Sequence, residues 1–127
     1  MKCVIIGILL LISSVCNAQH DSLITTATYP KIAKAISIHE SNYEKSVLAR
    51  SHNNIYGFKY GKRAIGKTRG KYSIYKSKED SVLDYLDFEK KIIDKYKLHS
   101  AEAYLLFLSR RYAADKGWLR KIRKLML

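Results

Sequence analysis

The sequence has 127 residues, the length of one domain, with 24 Lys and Arg against 11 Asp and Glu and a formal charge of +13. That balance excludes an acidic solvating chain and favours an anionic partner, with unpartnered surface charge as the plain alternative. The only two cysteines lie within the first sixteen residues, so the bulk of the chain can form neither a disulfide framework nor a thiolate metal site.

The chain opens on Lys2, the apolar run "VIIGILLLISSV" and then "CNA", the charged, greasy, small-residue order of a secretory signal peptide. Cleavage is expected after Ala18. The run is too short for a membrane span, which needs about 20 apolar residues. Val15 is also larger than the residue a lipoprotein signal carries before its cysteine. Residues 1–18 are therefore expected to be removed together with Cys3 and Cys16. What remains has 23 basic and 11 acidic residues, a charge of +12.

Residues 19–28 are polar and read as a loose lead-in, with the folded domain expected over 29–127. Pro30 suits a first helical position, and Ile32, Ala35, Ile36 and His39 then recur at helical spacing. That helix brings Glu40 to its C-terminal end. Between Asn53 and Lys76, glycines at 57, 61, 66 and 70 punctuate "IYGFKY" and "YSIYK", which predict the strands of a small hairpin sheet. Helical periodicity returns at "SKED", where Ser77 stands as an N-cap with an acid three residues on. Val82, Tyr85, Leu86 and Ile93 supply the stripe that follows. Ser100 starts a further helix, and Asp115 is placed to cap a last one with Trp118, Leu119, Ile122 and Leu125 facing inward. The sum is an α+β domain, mostly helical, with a β insertion after the first helix.

Several motifs fail on context. "GKRAIGKT" at 61–68 satisfies the phosphate-loop pattern, but that loop needs a strand entering and a helix leaving. Here "RGKYSIYK" follows, which is strand-like. His20, His39, His52 and His99 are scattered, and "HESNY" lacks the second histidine of a helical zinc motif, so no metal is expected. No serine sits in a strand-turn-helix elbow. Glu40 has two readings. It either salt-bridges a lysine at the helix end, or is partly desolvated beside the β lobe, keeping its proton as a general acid must.

"ESNYEKS", "NNIYGFK" at 53–59, "YSIYKSKEDSVLDYLDF" at 72–88 and "RYAADKGWLRKI" at 111–122 stand in the order and spacing of the peptidoglycan β-N-acetylglucosaminidases, glycoside hydrolase family seventy-three. The chain resembles that family from about residue 30 to its end. The resemblance implies a lysozyme-like fold, with an α lobe and a small β-hairpin lobe framing a glycan cleft. It implies Glu40 as catalytic acid and Tyr112 beside it. Asn53, Asn54, Tyr56, Gly57 and Phe58 match the block near the cleft, where the asparagines fix a turn and the aromatics touch sugar. Tyr75 and Trp118 are further substrate-binding candidates, although helical spacing favours the core for Trp118. Glu44, Ala114 and Lys116 depart from the family's usual glycine, threonine and proline.

Glycoside cleavage ordinarily uses two carboxyls, yet from Lys45 to Lys78 there is no Asp or Glu and there are ten Lys and Arg. Three explanations stand. Glu44 is the second carboxylate, one turn beyond Glu40 if the helix continues. Or the substrate's N-acetyl group supplies the nucleophile with Tyr112 orienting it, the preferred reading. Or the enzyme is a lytic transglycosylase, needing only one glutamate. The expected activity is exported peptidoglycan hydrolysis at the β-1,4 bond after N-acetylglucosamine. Glycan strands and anionic wall polymers are the expected partners. No cofactor, nucleic acid, stable membrane insertion or oligomer is expected. The rival from another class is a cationic wall-binding module without catalysis.

Overall fold

The computed structural model describes residues 19–113 and 115–127. The expected signal peptide, both cysteines and Ala114 lie outside the described residues. Among the described residues, a helical stretch at 19–24 is followed in chain order by α1 (Pro30–Ser41), α2 (Val47–His52), β1 (Gly66–Lys67), β2 (Ser73–Ile74), α3 (Lys78–Tyr96), α4 (Ala101–Arg111) and α5 (Trp118–Leu125). The architecture is the expected mostly helical α+β one, with a helical lobe and a small β lobe.

Residues 19–28 are not loose. Residues 19–24 are helical, and His20, Ile24 and Ala27 are buried. The polar residues of this segment are used locally: Thr25 and Thr26 hydroxyls close its end onto Ser22 and Leu23 carbonyls.

α1 begins at Pro30 with no cap from its own N-terminal side chains. A carboxylate from another helix serves instead: Glu89 of α3 accepts from the Thr28 amide at 2.6 Å and from the Tyr29 amide at 3.4 Å. Acids belong at a helix N-terminus, where amide donors are unsatisfied. Burial pushes the Glu89 carboxyl above its ordinary range. α3 and α4 start as expected, with Ser77 accepting from the Asp80 amide and Ser100 from the Ala103 amide. α5 starts at Gly117 without a side-chain cap. Asp115, two residues earlier, instead accepts from the Gly117 amide.

The core is rich in tyrosine. Tyr56 stacks on Tyr85 at 4.2 Å, Tyr85 and Tyr104 hydroxyls meet at 3.0 Å, and Tyr56 donates to the Ala33 carbonyl. Each buried hydroxyl thus has a partner, without which its burial would cost far more. Ile32, Ala33, Val82, Leu105, Trp118 and Ile122 complete the centre, where α1 and α4 both pack on α5.

The β lobe differs from the expected pair of strands. β1 and β2 are antiparallel, with Gly66 opposite Ile74 and Lys67 opposite Ser73. "YSIYK" holds β2, but "IYGFKY" is irregular. It still lies along the other side of β2, because the Ser73 amide donates to the Phe58 carbonyl and the Tyr75 amide to the His52 carbonyl. The "GKRAIGKT" stretch is a loop running into β1, with no helix after it. Its Gly61 amide is taken by Ser73 Oγ and its Arg63 amide by Asp84. No amide nest for phosphate forms there.

Candidate active site

Glu40 sits in the last turn of α1, which ends because Asn42 turns into the left-handed region at φ 49°. Tyr43 and Glu44 continue left-handed at φ 56° and 63°. A run of three such non-glycine residues is costly and needs holding. Ser41 holds it from inside: fully buried, it donates to the Ser37 carbonyl and accepts from the Glu44 amide. The Glu44 carboxylate holds it from outside, 3.2 Å from His20 Nε2 and 2.8 Å from Lys78 Nζ. Hydrogen bonding to His20, then to Lys78, lowers its carboxyl to about 2 against partial burial. The helix therefore does not carry Glu44 one turn beyond Glu40. A residue aligned with a family glycine is left-handed here, which gives that departure its physical meaning.

Glu40 itself is exposed, where partial desolvation was expected. Glu40 lies on the outer face of the last turn of α1, while Ser37 and Ser41 on its other side are buried. Nor does the lysine salt bridge form: among the described residues Glu40 has no hydrogen bond or ion pair. Its Oε2 faces the loop after α2, 3.7 Å from where a β-carbon would stand on Gly57.

That loop is fixed by the two asparagines. Asn53 caps α2 at φ 56°, a conformation asparagine tolerates, and its Nδ2 reaches the Tyr75 and Lys76 carbonyls. Asn54 is buried, with Nδ2 on the Phe58 and Ser73 carbonyls and Oδ1 accepting from the Gly57 and Phe58 amides. Its four bonds tie the Glu40-facing loop to β2. Asn54 thus lies beneath the surface of that loop.

Other expected contact residues are also placed below the surface. Tyr56 is buried in the tyrosine stack, and Trp118 lies in the core. Tyr75 is buried with its hydroxyl on Asp84 at 2.8 Å. The Tyr56 and Tyr75 hydroxyls thus both have partners inside the protein. Phe58 is half-buried, 5.7 Å from Phe88. Tyr112, at the end of α4, is 54% exposed and stands edge-on to Phe88 at 5.3 Å. Among the described residues its hydroxyl makes no hydrogen bond. Phe88 thus joins the Glu40-facing loop to Tyr112, a link sequence reasoning missed even though "LDF" lay inside a matched block.

The remaining β lobe is braced by Arg63, whose guanidinium meets Asp84 at 2.8 Å and Asp87 at 2.7 Å. Both acids raise its affinity for its proton. A depression lined by Asp21, Ile24, Thr25, Pro30 and Lys34 contains none of the candidate residues.

A family model, the mannosyl-glycoprotein endo-β-N-acetylglucosaminidase or glucosaminidase domain, matches residues 18–127. The chain belongs to this glucosaminidase family. It is accordingly a glycoside hydrolase. No curated protein matches the chain. Among solved structures, the catalytic domain of the autolysin Auto from Listeria monocytogenes is similar in fold, with a TM-score of 0.61 at 20% identity. The match covers 93% of this chain and 81% of that one. Among the described residues no helix is long and apolar enough to cross a membrane.

Proposed function

We propose that this glucosaminidase is an exported peptidoglycan hydrolase that cuts the β-1,4 bond after N-acetylglucosamine, with Glu40 as general acid. The observation that carries the reading is a carboxyl that has no hydrogen bond or ion pair among the described residues and faces Gly57 in the asparagine-fixed loop. Export is supported by the signal-like first eighteen residues and by a family match that starts at residue 18. The likeness to an autolysin's catalytic domain supports the wall as substrate.

Glu40 stands in water in the free protein. A glycan laid against the Gly57 loop would cover it and expel water from around the bridging oxygen. Glu40 then gives its proton to the bridging oxygen as the anomeric bond breaks. The acid-free interval and the ion pairs of Glu44 support substrate assistance: the N-acetyl oxygen attacks the anomeric carbon, and the unpartnered Tyr112 hydroxyl orients the group. Glu40, now a carboxylate, takes a proton from the water that opens the ring.

Digesting purified peptidoglycan with wild type and with Glu40→Gln tests this. Wild type should release new reducing N-acetylglucosamine ends, and the variant should keep its fold and binding while losing at least a hundredfold in rate. Anhydro ends would make the enzyme a transglycosylase. Two proteins that bind without cutting would make it a wall-binding module.

A further inference from the structure

Five exposed cations, Lys59, Lys62, Lys67, Arg69 and Lys71, sit on the β lobe, and none has a carboxylate within ion-pair distance among the described residues. The reason lies in the sequence, since no acid occurs between Lys45 and Lys78. Asp84 and Asp87 reach in from α3 but are spent on Arg63. Two of the five are positioned by aromatic rings. Lys59 Nζ lies 5.2 Å from the Tyr72 ring and Lys67 Nζ 4.4 Å from the Tyr60 ring. These two cation–π contacts tie the 59–60 segment to Lys67 of β1 and to Tyr72 just before β2, and restrict the ammonium groups. Tyr60 and Ile65 remain 77% and 69% exposed, so flat apolar surface alternates with fixed positive charge. The patch adjoins the candidate site, because Lys59 follows Gly57 by two residues, at most about 7 Å along the chain.

We propose that this hairpin patch binds the side-chain carboxylates of a glycan while Glu40 acts on its sugar backbone, making charge on the polymer a determinant of specificity. The inference rests on the peptidoglycan reading above and names what the β lobe recognises in that polymer. Sugar rings meet the tyrosine faces, and carboxylates carried on every second sugar meet Lys59, Lys67, Arg69 and Lys71. Nucleic acid and anionic lipid would satisfy the charge alone, and the test separates them.

The experiment compares native peptidoglycan with the same material after its carboxylates are converted to amides by carbodiimide and ammonia. Co-sedimentation and digestion are measured for wild type and for the quadruple variant Lys59→Gln, Lys67→Gln, Arg69→Gln, Lys71→Gln. A second variant removes equal charge elsewhere: Lys31→Gln, Lys90→Gln, Lys91→Gln, Arg110→Gln. Wild type and the second variant should bind the native polymer about tenfold more tightly than the amidated one, the scale of several exposed ion pairs. The hairpin variant should bind both alike while keeping its Tm, and where cutting is measurable the change should fall on KM rather than kcat. An equal loss in the second variant, or no effect of amidation on wild type, overturns the proposal. So does binding to duplex DNA or anionic vesicles at physiological salt as tight as to native peptidoglycan. Because sedimentation needs no catalysis, absence of cutting by wild type counts against the enzymatic reading and leaves the patch to be judged by binding.

Discussion

Glu40 Oε2 lies 3.7 Å from the place a β-carbon would take on Gly57, whose φ of 72° is one that residues with a β-carbon rarely adopt. The contact distance is ordinary, so space is not the constraint at Gly57; backbone conformation is. Gly57→Ala should cost about 1 kcal/mol through the left-handed backbone, lowering Tm by roughly 4–8 °C for a domain of this size. As the loop relaxes it should also shift against Glu40 and reduce kcat. Thermal melts and glycan digestion check both effects, and an alanine variant with unchanged Tm would show that the loop is not held in this conformation.

The Glu44 carboxyl is lowered from 4.5 to about 2 by His20 and Lys78. A carboxyl lowered in the folded state stabilises the fold above its unfolded value, and that stability is lost as pH falls from about 4.5 towards about 2. Wild type should therefore exceed Glu44→Gln in stability at pH 5 and 6, with the gap closing between pH 4.5 and 2. Urea titrations across that range measure it. A gap that stays constant with pH would mean the ion pairs contribute nothing, and that Ser41 alone holds the left-handed turn.

The helices were legible because their signals are local. Ser77 and Ser100 cap where the sequence placed them, and Ile32, Ala35 and Ile36 are buried at helical spacing. Helix α2 escaped notice: it is only six residues long, and its signal was the cap Ser46, which accepts from the Ala49 amide. "IYGFKY" looked like a strand because its aromatics alternate with other residues. In the fold, the Asn54 side chain supplies hydrogen bonds that a neighbouring strand would otherwise give. The burial of His20 and the exposure of Glu40 were not legible. Both depend on which parts of the chain, far apart in sequence, come to lie beside α1 and beyond its end.

Gly61 is constrained by space rather than dihedral angle. A β-carbon there would fall 1.9 Å from the Tyr75 hydroxyl and 2.6 Å from Asp84 Oδ2. Both atoms belong to the buried network that anchors Arg63, so neither is a free chain end. Gly61→Ala should cost about 1–3 kcal/mol as an overpacking change and loosen the β lobe from α3. Hydrogen exchange at residues 61–75 should rise above that of the helical lobe. Uniform protection across both lobes would contradict this.

Lys97 ends α3 at φ 55°, its amide bonded to the Ile93 carbonyl. Lys97 is exposed, and glycine suits this cap position without steric cost. Lys97→Gly removes a left-handed backbone cost of about 1–2 kcal/mol against a glycine entropy cost of about 0.5–1 kcal/mol, so it should stabilise modestly and leave glycan cleavage unchanged. A rise of several degrees in Tm is expected, and a fall would mean the lysine side chain contributes more than its backbone strain removes.

Tyr112 tests the substrate-assisted route proposed above. Its ring rests on Phe88 at 5.3 Å, so Tyr112→Phe keeps the packing and removes only the hydroxyl. If that hydroxyl orients the substrate's N-acetyl group for attack, its loss weakens an interaction made chiefly in the transition state. The rate should then fall about a hundredfold, as when one aligned donor is removed from an active site, while KM and Tm barely move. The fall should vanish on a substrate whose sugar carries a free amino group in place of N-acetyl, because wild type would lose the same assistance. Should Tyr112→Phe cut peptidoglycan at the wild-type rate, the nucleophile must come from elsewhere, and the Glu44 carboxylate becomes the group to remove next.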